Sequence, residues 1–95
     1  MYIVFEEKDY MAIAKMISES RIEDGTDSIE MQGLEFEVTF TKEVDGYYED
    51  GYENGTGAWV TTSAYIRVMN IRCDGIEIDY SGRKLESITE DFIMN

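Results

Sequence analysis

Leu34-Glu35-Phe36-Glu37-Val38-Thr39-Phe40-Thr41 alternates apolar and polar residues without a break. A period of two is the signature of a half-buried strand, because successive side chains of an extended chain point to opposite sides. Leu34, Phe36, Val38 and Phe40 form the face for a core, and Glu35, Glu37, Thr39 and Thr41 the face for water. One dry and one wet face is the pattern of an antiparallel sheet covered on a single side.

The neighbours extend that sheet. Upstream, Ser28–Met31 reads as a partner strand joined through a Gln32-Gly33 turn, which sets Met31 against Leu34, Ile29 against Phe36 and, on the wet side, Glu30 against Glu35. Downstream, Gly57–Cys73 reads as one long strand or two. Ala58, Val60, Ala64, Ile66 and Val68 share one parity and Ile71 and Cys73 the other, so the pattern predicts a bulge near Asn70 or a break near Ser63. Trp59 and Tyr65 fall on the second parity, which predicts partial cover on both faces. Asp74-Gly75 is a two-residue hairpin signal. It pairs Cys73 with Ile76, Ile71 with Ile78, Met69 with Tyr80, and Arg72 with Glu77 as opposite charges.

Helices flank the sheet. After a short strand at residues 2–5, Glu7 to about Ser20 reads as a helix, since Tyr10, Ile13, Ala14 and Ile17 recur on one face. Glu6, Glu7 and Asp9 sit where the helix dipole favours negative charge, and Gly25 follows as a stop. Leu85, Ile88 and Phe92 predict a short C-terminal helix, with a final extended segment as the alternative. The expected fold is α+β: an antiparallel meander of four to five strands, with the N-terminal and short C-terminal helices packed on one face. Ninety-five residues make a single domain spanning 1–95. Eleven Ile and five Val against two Leu agree with a sheet-dominated chain.

The formal charge is −13, and its placement is uneven: between Ile22 and Ile66 eleven acids meet one base, Lys42. Such a chain repels nucleic acid and anionic membranes and attracts basic proteins. The absence of His removes the commonest general base and imidazole ligand, and excludes Ser-His-Asp and Cys-His catalysis. Cys73 is the only cysteine, which excludes an internal disulfide and a multi-cysteine zinc site. No phosphate-binding glycine motif occurs, no cofactor is implied, and no leader or membrane span is read, so a cytoplasmic protein is expected.

The most unusual stretch is Asp45-Gly46-Tyr47-Tyr48-Glu49-Asp50-Gly51-Tyr52-Glu53-Asn54-Gly55-Thr56-Gly57-Ala58-Trp59, with three Tyr, one Trp and four carboxylates but no positive charge. Tyr47, Tyr48, Glu49, Asp50, Tyr52 and Glu53 are the first candidates for contacting a basic protein: rings supply contact area and carboxylates supply steering. Replacing Tyr48 and Tyr52 by Ala is then expected to weaken binding and leave the fold intact. The structural alternative is a long twisted hairpin in which the Tyr residues make cross-strand pairs. Glu30, Glu35 and Glu37 are the second candidates, and their strand spacing of ~6.6 Å suggests imitation of a phosphate backbone.

The expected function is therefore a non-enzymatic accessory or binding protein with a basic protein partner, and exposed strand edges make a homodimer a second expectation. The rivals are a calcium module built on Asp45, Glu49, Asp50, Glu53 and Asn54, whose spacing does not fit an EF-hand loop, and a carboxylate-only hydrolase needing a cleft with two buried acids. In style (short, acidic, Tyr- and Gly-rich, Pro-free) the chain resembles the small accessory reading frames of bacteriophages and mobile elements.

Overall fold

The computed structural model describes residues 3–50 and 57–94. The element order is α1 (Glu7–Glu19), β1 (Asp24–Met31), β2 (Leu34–Asp50), β3 (Gly57–Cys73), β4 (Ile76–Glu77) and α2 (Gly82–Met94). The strands form one antiparallel sheet in the order β1-β2-β3-β4, so the α+β meander expected from the patterning is what the chain folds into. Of the segment expected as a first strand, residues 3–5 are not in a strand, and Tyr2 lies outside the described residues. Those residues lead into α1, whose N-cap is Glu6.

Both short turns fold as their residues require. Gln32 and Gly33 have φ of 54° and 73°, and Asp74 and Gly75 have φ of 53° and 78°. Two successive positive φ values make a type I′ turn, whose twist matches that of the strands it joins. The first turn sets Met31 against Leu34, Glu30 against Glu35 and Ile29 against Phe36, the register expected from the alternation. The second pairs Cys73 with Ile76 and Arg72 with Glu77, and Ile78 N–H donates to the Ile71 carbonyl at 2.8 Å. Arg72 and Glu77 nevertheless form no ion pair within 4.0 Å. The Met69–Tyr80 pairing does not form, because β4 ends at Glu77.

The core lies on one side of the sheet. Phe36, Val38, Phe40, Ile66 and Ile71 meet Ile13, Ala14 and Ile17 of α1 and Leu85 of α2. Phe5 bridges the layers edge-on, 5.5 Å from the Phe36 ring and 5.8 Å from Tyr10. Truncating a buried Phe such as Phe36 to Ala would cost ~3–5 kcal/mol. In α2 the buried stripe is Leu85 and Thr89, one turn apart, whereas Phe92, which shares the helical period, is exposed. Thr89 is tolerated there because its hydroxyl donates to the Leu85 carbonyl at 2.7 Å.

α1 ends at Glu19, as the periodicity predicts to within a residue, whereas Gly25, expected as the stop, lies within β1. Ser20 caps it, and the Lys42 ammonium donates to the carbonyls of Ile17 and Ser20. A cation on the last carbonyls satisfies orphan acceptors and opposes the dipole. Burial lowers the Lys42 pKa, and nearby Glu23 partly offsets this. At the other end, buried Asp9 accepts hydrogen bonds from Glu6 N–H (2.8 Å) and the Gln32 amide (3.0 Å), tying the start of α1 to the β1–β2 turn.

Candidate functional site: the open sheet face and its arm

β2 and β3 are each 17 residues long, but β1 reaches only to Thr41 along β2. A 17-residue strand spans ~56 Å. The molecule accordingly measures 58 × 21 × 21 Å. Beyond Lys42 the sheet therefore narrows to a two-stranded arm, residues 43–50 paired with 57–65. The segment left open between loop and hairpin in the sequence is thus a hairpin up to Asp50↔Gly57, while Tyr52 and Glu53 lie outside the described residues.

Two irregularities in the β2–β3 register shape this arm. Thr39 pairs with Asn70 but Phe40 with Val68, which leaves Met69 unmatched, and Asp45 pairs with Ser63 but Gly46 with Thr61, which leaves Thr62 unmatched. These bulges sit at the two places where the apolar pattern changes parity. Both form, where the patterning predicted one or the other. The second puts residues 57–61 out of phase with 64–68, so Val60 does not share a face with Ala64, Ile66 and Val68. At that point the Thr62 hydroxyl donates to the Asp45 carbonyl at 3.2 Å.

On the helix side of the arm, two rings lie over two glycines. A Cβ on Gly46 would stand 2.9 Å from the Trp59 indole, and one on Gly57 would overlap the Tyr48 ring. Tyr48 and Trp59 are direct register partners, so each ring leans diagonally over the glycine beside the other. Aromatic cover of strand glycines is a known way of stiffening a ribbon. Tyr48 therefore has a packing task of the kind the structural alternative gives this stretch, while its ring stays exposed. Tyr47 points to the opposite face, beside Val60. Tyr47, Tyr48, Trp59 and Tyr65 are 53%, 64%, 56% and 57% exposed.

The opposite face of the sheet carries no helix among the described residues. Alternation along β2 places Glu35, Glu37, Glu43, Asp45, Tyr47 and Glu49 on it, all exposed. Register adds Asp24 and Glu30 from β1 and Glu77 from β4. Among the described residues, eight carboxylates thus share a surface with two guanidinium groups, Arg67 and Arg72. Among the described residues none of these eight is ion-paired; the pairs Lys8–Glu6 and Lys84–Glu7 lie on the helix side. From Glu35 to Glu49 the row runs ~46 Å. The first and second candidate groups therefore share a face through Tyr47, Glu49, Glu30, Glu35 and Glu37, but stand at opposite ends of it. Asp50 closes the described arm opposite Gly57. At the base of the arm, Asp24, Thr41, Glu43, Tyr65, Arg67 and Met69 line much of a shallow concavity of about 480 Å³.

Asp45 and Glu49 stand ~13 Å apart along one strand. Among the described residues no three acids converge as metal ligands, and Glu53 and Asn54 lie outside them. Asp9 is the only buried carboxylate among the described residues, and its hydrogen bonds hold the N-terminus of α1. Asp9, expected as a dipole partner, is thus also a buried acceptor, and the signal for it in the sequence is the Glu6-x-x-Asp9 spacing, which resembles a capping box. The seats of the two rings have a sequence signal as well: Gly46 and Gly57 set among aromatic residues in a strand. Comparison of the chain with protein-family models, with curated proteins and with solved structures finds no match in any of the three.

Proposed function

We propose that this chain is a non-enzymatic binding protein that meets a basic protein partner with the uncovered, acidic face of its sheet. The observation that carries this reading is the gathering of eight exposed carboxylates and Tyr47 on a helix-free face with only Arg67 and Arg72 as counter-charge. Like charges held side by side raise the local potential, and Glu30 opposite Glu35 is held so by the backbone at a cost of ~0.2–1 kcal/mol. A cation from a partner would relieve that cost. Carboxylates would steer the encounter and select the partner, and Tyr47 would supply rigid contact area. A second reading has its own support: Glu35 and Glu37, and then Glu43 and Asp45, are spaced ~6.6 Å apart on one strand, a step of the order of that between phosphates. The preferred partner would then be a protein whose basic groove otherwise holds nucleic acid.

The test is a comparison of faces at constant net charge. An arginine-rich peptide is titrated by calorimetry into the wild type, into Glu35→Gln/Glu37→Gln/Glu43→Gln, and into Glu7→Gln/Glu19→Gln/Glu90→Gln. The open-face triple variant should lose most of the affinity, the helix-side variant little, and added salt should weaken binding throughout. Equal loss in both variants would mean that net charge alone attracts the peptide, and the assignment of the face would fail.

A further inference from the structure

The two free edges of the arm differ. The β2 edge carries Glu43, Asp45, Glu49 and Asp50, and charged residues on an edge discourage pairing with another chain. The β3 edge reads Gly57-Ala58-Trp59-Val60-Thr61-Thr62-Ser63-Ala64-Tyr65-Ile66, ten residues with no charge and no Pro. Charge is therefore absent from this edge of a chain whose other edge is acidic. β4 covers only the far end of β3, at Arg72 and Cys73. At Val68 the edge is closed by side chains: Glu86 accepts from Val68 N–H at 2.9 Å, and the Tyr80 hydroxyl donates to Val68 O at 3.0 Å. Between Gly57 and Arg67, no backbone group has a hydrogen-bond partner on that side among the described residues.

We propose that the β3 edge of the arm pairs antiparallel with the same edge of a second copy of this chain, about a two-fold axis between Thr61 and Thr62. An antiparallel pair places residues of the same sheet face opposite each other. With the bulge at Thr62, the register that satisfies this sets Trp59 against Ala64, Val60 against Ser63, Tyr65 against Ala58 and Ile66 against Gly57 of the second copy. Each large side chain then faces a small one, and no charge is opposed. The corresponding self-pairing of the β2 edge would bring acids against acids. A two-stranded ribbon by itself is marginally stable in water, whereas the dimer would turn the two arms into one four-stranded sheet. The contact is ~33 Å long and one strand wide. That is a small interface, which fits a reversible dimer rather than an obligate one.

The proposal is independent of the basic-partner reading, and salt separates them. Each copy carries −13, so screening should strengthen self-association while weakening a contact with a cation. The experiment is sedimentation equilibrium of the full chain over a wide concentration range at low and high sodium chloride, beside hydrogen exchange of the same samples. The expected result is mass approaching twice 11.0 kDa as concentration and salt rise, with new amide protection in residues 57–66 and none in 43–50. Val60→Lys/Ser63→Lys sets lysine against lysine at both symmetric contacts while reducing the net charge of the chain; it should weaken the dimer about tenfold or more. A mass that stays at 11.0 kDa under every condition would overturn the proposal, and so would a dimer whose protection falls outside 57–66. Survival of the dimer in a folded lysine variant would also overturn it. Protection in the wild type decides the matter if that variant does not fold.

Discussion

Gly46→Ala should loosen the arm and leave the body of the molecule intact. The added methyl would overlap the Val60 carbonyl oxygen and stand 2.9 Å from two atoms of the Trp59 ring. The ring can swing away, but the carbonyl belongs to the paired strand and moves only if the ladder moves. Forcing a methyl into such a contact costs ~1–3 kcal/mol. Against it stand the cross-strand pairs nearby, Tyr48–Trp59 and Tyr47–Val60, each worth ~0.2–1 kcal/mol. The penalty is as large as the local stabilisation, so the arm should open locally. The core is separate: Phe36, Phe40, Ile66 and Ile71 make no use of Gly46. Amide exchange in residues 45–50 and 57–63 should therefore accelerate by about 5- to 150-fold, the range that 1–3 kcal/mol implies. Trp59 is the only Trp, so its fluorescence should report greater access to acrylamide without interference. The urea midpoint followed by far-ultraviolet circular dichroism of the body should barely move. Unchanged exchange and quenching would refute the argument that the ring and the carbonyl leave no room for a methyl. A collapse of the global midpoint would refute the separation of arm from body.

Three further outcomes follow from single contacts. Asp9→Ala strips the acceptor from Glu6 N–H and from the Gln32 amide, and should destabilise the fold by ~1–3 kcal/mol in urea unfolding. Tyr80→Phe removes the hydroxyl that serves the Val68 carbonyl and should cost ~1 kcal/mol near neutral pH. Burial first, then Glu86 and Glu77, raise the Tyr80 pKa above its ordinary value. The folded phenol thus holds its proton longer than the unfolded one, so its contribution is full below pH ~10 and is lost as pH climbs through the folded value. The wild type should accordingly lose more stability than Tyr80→Phe in alkaline melts. Cys73 is buried, and desolvation followed by the neighbouring Asp74 raises its thiol pKa. Iodoacetamide at mildly alkaline pH should label it at the rate of unfolding, which mass spectrometry with and without urea would check.

Local patterns in the sequence determined a good part of this protein. Alternation from Leu34 to Thr41 selected the buried face, and Gln32-Gly33 and Asp74-Gly75 set two registers, because a positive-φ pair leaves little choice of turn. The recurrence of Tyr10, Ile13, Ala14 and Ile17 selected the buried side of α1. Those readings need only neighbours within a few residues. What the tertiary structure decided needed partners from far along the chain. Phe92 suits the helical period as well as Thr89 does, but only the position of α2 against β3 says which is covered. Asp9 looks like any acid in a first helical turn until Gln32 arrives to bond it. The candidate site divides the same way: outward acids on β2 follow from alternation, while the split of Tyr47 from Tyr48, the glycine seats of two rings and the uncharged free edge of β3 exist only once both bulges have set how one long strand lies on the other.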